Sequence, residues 1–220
     1  MFRVLPIFFF LIACEQPIKN SPSEKKTTEI KRKKDKDKQE QQSVSLHENQ
    51  VIGFEIMIPP GWELKENDLT RLSTRLQLGS YIVGQLAPKR REIGDPKLLF
   101  TLEQIETDSV KKSDDTAALE KYYKKSFQSL KDLENSGDVK YESIISKPYR
   151  NHSYRIEAEF AYLSGPLHSY QIEQKALLHI IRGYGFTVTG TTLKSAKMFE
   201  KHLLWETLES LRITTPGSWN

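Results

Sequence analysis

The feature that most constrains the fold is a long alternation of apolar and polar residues on both sides of Ser164-Gly165-Pro166. Apolar side chains recur at every second position from Tyr154 to Tyr162, and again from Tyr170 to Leu178. A period of two is typical of strands that bury one face. Two such strands on either side of a Gly-Pro turn predict an antiparallel hairpin.

A hairpin centred on this turn has a defined register. Glu157 meets Lys175, and opposite charges are favourable across a strand pair. Glu159 lies opposite Glu173, a like-charge pair that we expect Arg155, Lys175 or water to compensate. The apolar pairs that the same register predicts are Tyr162 with Tyr170, Phe160 with Ile172, Ile156 with Ala176, and Tyr154 with Leu178. Apolar residues therefore share one face, which is what fixes a register.

The remaining elements are predicted from periodicity and from turn residues. Pro59-Pro60-Gly61 ends a first strand ahead of Trp62, a predicted packing residue, and Gly183-Tyr184-Gly185 predicts a turn of two or three residues. Strands are predicted at residues 52–58, 80–87, 97–106, 139–146, 176–181 and 186–192, and helices at 115–135, with Asp115 as a cap, and at 193–211. The inward side chains predicted for the last helix are Phe199, Leu203, Leu204, Leu208 and Leu211. We therefore expect an α+β fold in which helices pack on an antiparallel sheet.

Charge separates the N-terminal part of the chain from the rest. Residues 47–220 hold 23 basic and 23 acidic residues, whereas residues 15–46 hold 9 basic and 6 acidic ones. A balanced domain lacks the basic footprint of a nucleic-acid binder. Residues 15–46 contain almost no apolar side chains, which predicts a disordered tether spanning roughly 30 Å. An alternative is that this segment itself binds peptidoglycan or anionic lipid.

The N-terminus has the pattern of a secretory signal. Arg3 precedes a short apolar run that ends at Ala13, too short for a membrane-spanning helix. The sequence Leu11-Ile12-Ala13-Cys14 resembles the lipobox of bacterial lipoproteins. That resemblance implies cleavage before Cys14, a diacylglycerol thioether on its sulfur, and anchoring in the cell envelope. Glu15, in place of the aspartate that retains lipoproteins in the inner membrane, favours the outer membrane. The alternative is an ordinary signal followed by a chance cysteine.

We therefore divide the chain into a signal peptide (1–13), a lipidated cysteine with a charged tether (14–46), and a single domain (47–220). The domain resembles the PsbP-like family in its order of elements and in loose motifs, namely Pro60-Gly61-Trp62, the glycine turn into Phe186-Thr187-Val188-Thr189-Gly190-Thr191, and the final Glu209-Ser210-Leu211-Arg212. The resemblance covers about residues 50–213. It implies a six- or seven-stranded antiparallel sheet between helices, and partner binding rather than a shared chemistry.

Residues capable of catalysis or metal binding do not form a recognisable motif in the sequence. The five histidines lack metal-ligand spacing, and Cys14 is the only cysteine. Ser164, His168 and Ser169 cluster in a turn whose composition is ordinary for turns. His179 lies in an apolar run, which favours a buried, hydrogen-bonded histidine over a ligand. We predict no catalytic residue, no metal site and no cofactor.

Two surfaces are candidates for binding. Lys89, Arg90 and Arg91 form a cationic loop that suits a phosphate or a carboxylate. A polar face, defined by Arg155, Glu157, Glu159, Glu173 and Lys175, is either a protein contact or a sheet rim covered by a helix. The function that we expect is a non-enzymatic accessory module that binds a protein or another envelope component. The alternatives are an envelope hydrolase using an unrecognised serine or glutamate pair, and a carrier of a small apolar ligand.

Overall fold

The computed structural model describes residues 43–69, 79–90, 94–105, 115–150, 152–165 and 167–214. The predicted signal peptide, Cys14 and most of the predicted tether lie outside these residues. The described strands are β1 (Ser45–Asn49), β2 (Phe54–Ile58), β3 (Trp62–Glu66), β4 (Ser80–Pro88), β5 (Lys97–Gln104), β6 (Val139–Tyr149), β7 (Ser153–Tyr162), β8 (Gln171–Ile181), β9 (Tyr184–Leu193) and β10 (Arg212–Ile213). The described helices are α1 (Asp115–Asn135) and α2 (Met198–Glu209).

Seven strands form one antiparallel sheet in the order β3-β4-β5-β9-β8-β7-β6. The predicted fold class, an α+β fold with a six- or seven-stranded antiparallel sheet, is therefore confirmed. β9 occupies the centre, and β8 is an interior strand beside it. This position explains the apolar run at residues 176–181, because an interior strand is covered on both faces.

The predicted hairpin is β7 and β8, and its register is confirmed over most of its length. Phe160 pairs with Ile172, Ile156 with Ala176, Tyr154 with Leu178, Glu157 with Lys175, and Glu159 with Glu173. The predicted pair of Tyr162 with Tyr170 was wrong. The ladder ends one pair earlier, and Tyr162 forms a parallel bridge with His168 instead. Ser169 adopts a left-handed φ of 70° in this turn, which directs the chain out of the regular ladder.

The loop between β8 and β9 has two residues, Arg182 and Gly183. Both have positive φ values, 52° and 79°, and Ile181 pairs with Tyr184. Two left-handed residues give a turn whose twist matches that of the flanking strands. The choice between a two- and a three-residue loop, which the sequence left open, is thus settled.

The two faces of the large sheet bury different partners. Even-numbered residues of β7 and β8, such as Ile156 and Leu178, pack with Tyr122 and Leu130 of α1. Odd-numbered residues of β8, such as Leu177, pack on the opposite face with α2 and the small sheet described below. The fully or nearly fully buried members of this second core include Phe54, Phe100, Leu177, Phe186, Val188, Leu204 and Leu208. Trp62 also belongs to it, as predicted.

A second, three-stranded sheet has the order β1-β2-β10 and was not predicted. Ser45 pairs with Ile58, and Ile213 pairs with Phe54, so the beginning and the end of the described chain meet on β2. β1 therefore begins at Ser45, two residues before the predicted start of the domain. Backbone pairing to β2 holds this segment, although its own side chains are mostly exposed.

The last helix is shorter than predicted, and the side that it buries differs from the predicted one. Residues up to Leu193 continue β9, where Leu193 pairs with Ile172, so α2 begins only at Met198. Leu204 and Leu208 are buried as predicted, but Phe199 is 73% exposed. Phe199 lies five residues before Leu204, which places it about 140° around the helix from the buried side.

Candidate functional site

The predicted cationic loop is partly described. Lys89 and Arg90 follow the end of β4 and are exposed, whereas Cys14 and Arg91 lie outside the described residues. The backbone N–H of Lys89 donates to the carbonyl of Gly61 at 2.9 Å, which ties the loop to the turn before β3. Within the described part of the chain, neither cationic side chain forms a hydrogen bond or an ion pair.

The predicted polar face is a sheet rim covered by α2. Arg155 Nη1 donates to Glu209 Oε1 at 2.7 Å, and Lys201 Nζ donates to Glu173 Oε1 at 2.7 Å. Lys175 Nζ lies 4.7 Å from the centroid of the Trp205 ring. Residues 201–209 of α2 therefore cover much of this face. The sequence left two interpretations open, a protein contact or a sheet rim covered by a helix, and the structure shows the second.

The cations that compensate Glu159 and Glu173 differ from those predicted. Lys194 Nζ donates to Glu159 at 2.7 Å and to Glu142 at 3.0 Å, while Lys201 serves Glu173. Hydrogen bonds to the two carboxylates raise the pKa of Lys194. These lysines come from the loop after β9 and from α2, and their proximity depends on tertiary packing rather than on strand register.

The turn between β7 and β8 brings His168 and Ser169 together. Ser169 Oγ lies 2.8 Å from His168 Nδ1, and both residues are exposed. Among the described residues no carboxylate contacts this imidazole, and Ser164 is exposed on the same turn. The arrangement is consistent with the turn interpretation that the sequence favoured.

His179 is buried, as predicted, but its expected hydrogen bond is missing at one ring nitrogen. The residue is 8% exposed, and Nε2 has no partner among the described residues. Burial lowers the pKa of His179 to about 4, because desolvation disfavours the imidazolium. The ring is therefore neutral at pH 7. An unsatisfied buried polar atom is unusual and indicates either strain or a place for a missing partner.

His179 lies at the base of a cleft of about 760 Å³ between β8, the small sheet and the end of α2; we call it the His179 cleft. Its apolar wall contains Leu46 and Met57 of the small sheet, which are 61% and 39% exposed, together with Leu177. A volume of this size is typical of pockets that hold small ligands. The sequence did not predict the cleft because its lining residues span positions 46 to 213. An ionisable residue within an apolar strand, His179, was the one signal of it.

The polar rim of the cleft is organised around Glu209. Tyr149 Oη donates to the Glu209 carboxylate, Arg150 donates to the Glu209 carbonyl, and Arg155 holds the same carboxylate. Burial, followed by the hydrogen bond to Glu209, raises the pKa of Tyr149. The rings and guanidinium groups also stack, with Arg155 Cζ lying 5.2 Å from the Tyr149 centroid. This network fixes the shape of the rim before any ligand arrives.

The serine hydroxyls of the cleft donate within the fold. The hydroxyl of Ser153 donates to the Arg150 carbonyl at 2.6 Å, so its proton is already committed to the turn. In the part of the chain that the structure describes, no group of three or more His, Cys, Asp or Glu residues could hold a metal ion. None of the helices described there is both long and apolar enough to cross a bilayer. The neutral His179 lines a cleft of mixed character, in which Glu55, Arg150 and Glu209 lie beside the apolar wall.

Comparison with known proteins gives matches in structure alone. No protein-family model matches the chain, and no curated protein matches it significantly in sequence. The solution structure of cyanobacterial PsbP from Synechocystis sp. PCC 6803 is similar, with a TM-score of 0.50 and 14% identity over 78% of this chain and 93% of that one.

Two further solved structures are similar at lower scores. They are the Ran-binding protein Mog1p of Saccharomyces cerevisiae (TM-score 0.44, 9% identity, 79% of this chain and 97% of that one) and LpqN of Mycobacterium tuberculosis, involved in cell envelope biogenesis (0.40, 12%, 78% and 91%). At such identities a likeness shows a fold and no more. The order of elements, the seven-stranded antiparallel sheet and the match to cyanobacterial PsbP together show that residues 45–213 adopt the PsbP-like α+β fold.

Proposed function

We propose that this chain is a lipid-anchored binding module of a bacterial cell envelope and that the His179 cleft receives its partner. The lipobox-like Leu11-Ile12-Ala13-Cys14 supports the anchor, and the outer membrane is its proposed location. The observation that carries the binding role is the cleft itself, about 760 Å³ in volume, whose lining brings His179 together with the organised rim at Glu209.

A non-enzymatic role is supported by what the reactive side chains already do. Glu157, a carboxylate of the polar face, lies 2.7 Å from Arg155 Nε and 3.7 Å from Lys147 Nζ. Ser153 donates within its turn. Burial keeps His179 neutral at pH 7, and its pKa of about 4 makes it a weak proton acceptor. These groups therefore act in packing and recognition.

A second function, carriage of a small apolar ligand, is favoured by the volume of the cleft. About 760 Å³ accommodates a small molecule, and Leu46, Met57 and Leu177 would contact its apolar part. A hydroxyl or an amide on such a ligand would find polar partners at the rim, in Arg150 and Glu209. The mass of what the cleft binds distinguishes a carrier from a protein-binding module.

Site-specific photocrosslinking tests the proposed role of the cleft. A photoreactive residue replacing Met57, inside the cleft, should capture a defined species in intact envelopes. The same residue replacing Ile145, which is 54% exposed on β6 outside the cleft, should not capture it. Mass spectrometry of the adduct then identifies a protein or a small molecule.

The captured species must also bind the purified chain. We expect Met57→Asp to weaken that binding and Ile145→Asp to leave it unchanged. Equal capture from both positions would contradict a role for the cleft. Hydrolysis of an ester, peptide or glycan by the chain, lost in Ser164→Ala or Glu157→Gln with the fold intact, would contradict the non-enzymatic function.

A further inference from the structure

The last strand of the large sheet, β6, has an open edge. Its 11 residues pair with β7 on one side, and no strand of the described chain pairs with it on the other. An unpaired edge of this length exposes a row of backbone N–H and C=O groups to any strand that can align with it. The edge is therefore a candidate interaction surface in addition to the His179 cleft.

The register of β6 with β7 shows which backbone groups point to the open edge. Pro148 pairs with Tyr154 and has no N–H, so this pair can only be one whose backbone groups face away from the partner strand. The two kinds of pair alternate along an antiparallel ladder, so Ser146 and Ile144 face the same way as Pro148. Neither N–H has a hydrogen-bond partner among the described residues. Ile144 and Ser146 thus offer two donors and two acceptors at the edge.

Both ends of this open stretch are closed to pairing. A β-bulge interrupts the ladder at Glu142, which has no register partner in β7, and Pro148 lacks a donor. Bulges and prolines are devices that keep edge strands from pairing. Between them lies the uncharged segment Ser143-Ile144-Ile145-Ser146, whose Ile145 is 54% exposed. This protection is absent from the middle of β6, where the β-branched residues favour an additional strand.

A second copy of β6 is the strand that fits this segment best. If two copies align antiparallel with Ile145 on the two-fold axis, Ile144 of each copy lies opposite Ser146 of the other. Every outward N–H and C=O of these residues then meets a partner, which gives four hydrogen bonds across the axis. Pro148 lies opposite the bulged Glu142, so the ladder ends at the same pair on both sides.

Neighbouring alignments leave edge groups unpaired. With Ser146 on the axis, Ile144 lies opposite Pro148, which cannot donate an N–H. With Ile144 on the axis, Ser146 lies opposite Glu142, inside the bulge. The alignment centred on Ile145 is the one of these three that satisfies both outward residues of each copy.

The side chains agree with this alignment. The two copies of Ile145 meet on the axis in a non-hydrogen-bonded pair, in which side chains lie closest. Within one chain Ile145 lies opposite Glu157, so the axis supplies the apolar neighbour that β7 does not. Lys147 lies opposite Ser143 of the other copy, and no like charges face each other in these pairs.

We propose that this chain forms a two-fold symmetric dimer through β6, which joins two seven-stranded sheets into one continuous sheet. The interface requires neither the lipid anchor nor a ligand. Tyr149, which lines the His179 cleft, is four residues from the axis, about 13 Å along the strand, so the two clefts lie towards opposite ends of the strand pair. Four hydrogen bonds and one apolar pair make a small interface, so dimerisation depends on protein concentration.

Disulfide formation tests the alignment in the chain from residue 15 onward, which has no natural cysteine. Ile145→Cys should join two chains rapidly, because a non-hydrogen-bonded pair brings the Cα atoms within the range that a disulfide needs. Lys147→Cys, exposed on the same face of β6, is the matched control. It should not link to itself, because its two copies lie about 13 Å apart along the strands. Mixing it with Ser143→Cys should restore the link, because these two positions face each other.

Analytical ultracentrifugation of the same chain measures the dimer without a covalent link. We expect its mass to double as the protein concentration rises. Ile145→Lys should weaken dimerisation roughly tenfold or more, because it places two like charges on the axis, whereas Leu163→Lys, at a side chain 47% exposed beyond the end of β7, should not. Ser146→Pro should also weaken it by removing an outward donor. Ser146→Ala, its control, removes only the hydroxyl that bonds Tyr123 and should keep the dimer.

Four results would overturn the proposal. The first is the mass of a single chain at every concentration up to about 1 mM. The second is a self-link of Lys147→Cys as rapid as that of Ile145→Cys, which indicates random collision. The third is a dimer that Ile145→Lys does not weaken, which places the contact on another surface. The fourth is capture of a different protein, in place of a second copy, by a photoreactive residue at Ile145 in intact envelopes.

Discussion

His179 lines the cleft and also carries a cost in stability. Its imidazole is removed from water, and Nε2 finds no partner among the described residues. An unsatisfied buried polar atom costs about 1–3 kcal/mol. The fold therefore bears this cost whether or not the neighbouring cleft is occupied.

The pH dependence of stability should report this residue directly. The pKa of His179 is about 4 in the folded chain, below the ordinary value of about 6.5. Stability is therefore fully present above about pH 6.5 and falls as the pH drops towards 4, because the unfolded chain binds the proton more tightly. Between pH 7 and pH 5 we expect a loss of about 2 kcal/mol from this group. Urea unfolding of the natural chain and of His179→Gln measures it.

The natural chain and His179→Gln share every other titrating group. The difference between their free energies of unfolding therefore isolates the contribution of His179. An identical loss of stability in both between pH 7 and pH 5 would contradict the assignment.

At the residue scale, the sequence predicts partners that lie close along the chain and misses those brought by packing. Glu157 and Lys175 are register partners as predicted, because the alternation fixes that pairing. Their charged groups have other partners, since Glu157 lies beside Arg155 and Lys175 lies over the Trp205 ring. Lys194 was not predicted to hold Glu159, since the two residues are 35 positions apart, one in β7 and the other in the loop after β9. Phe199 was predicted to be buried because its hydrophobicity fits the helical pattern, but Leu204 and Leu208 define the buried side of the helix, and Phe199 lies about 140° from it.

At the element scale, α1 and β9 approach each other closely where Tyr122 packs against Gly185. A Cβ atom at Gly185 would lie 2.4 Å from Cζ of Tyr122, whose hydroxyl is 2.7 Å from Thr187 Oγ1 in the buried interface. We expect Gly185→Ala to destabilise the fold by about 1–3 kcal/mol, because a packed ring cannot yield. Thermal or urea unfolding measures the cost.

The Tyr122→Ala background provides the control for this prediction. If the ring is the obstacle, adding Gly185→Ala there should cost little, and the two substitutions should be strongly non-additive. If Gly185→Ala is as destabilising in the Tyr122→Ala background as in the natural chain, the destabilisation comes from the backbone and not from the ring.

The two sides of α2 should respond very differently to substitution. Leu204 is fully buried, so Leu204→Ala should lose about 2–5 kcal/mol through its cavity. Phe199→Ser should change stability by no more than about 0.5 kcal/mol, because the ring is mostly in water already. Unfolding curves of the two variants test this contrast. A large loss for Phe199→Ser would mean that the side chain packs within the domain.

At the element scale, local periodicity predicts the hairpin and α1 but not the small sheet. β7 and β8 are joined by a short turn, so their alternation contains most of the information needed to pair them. β10 has only two residues, and it reaches β2 from more than 150 positions away. Pairing at such a distance leaves no periodic signature in either segment.

Across the whole molecule, the predicted tether should be the first site of proteolysis. Residues 15–46 are too poor in apolar side chains to bury a core, and Lys31–Lys38 contains several trypsin sites. Brief digestion should leave a resistant fragment beginning between residues 40 and 50, which mass spectrometry identifies. Early cleavage within residues 150–190 with the tether intact would contradict this division of the chain.

Acylation of Cys14 is the whole-molecule prediction with the simplest readout. Cells grown with radiolabelled palmitate should label the natural chain, and Cys14→Ser should abolish the label and leave the uncleaved precursor. Labelling that persists in Cys14→Ser would exclude Cys14 as the acylated residue.

Candidate sites were harder to predict than the fold, for a physical reason. Lys89 and Arg90 form a contiguous charged run, which the sequence displays directly. The His179 cleft draws on both sheets and on the end of α2, and it exists only after these elements pack. Met198 and Phe199 are visible in the sequence, but their exposure depends on where β9 ends.

The position of β10 also has a consequence for biogenesis. Arg212 and Ile213 complete the sheet that holds β1 and β2, and Thr214 N–H donates to the Gly53 carbonyl at 2.8 Å. During synthesis from the N-terminus, these residues are made more than 150 positions after β2. The small sheet therefore cannot be completed by its third strand until the whole large sheet and α2 have been synthesised.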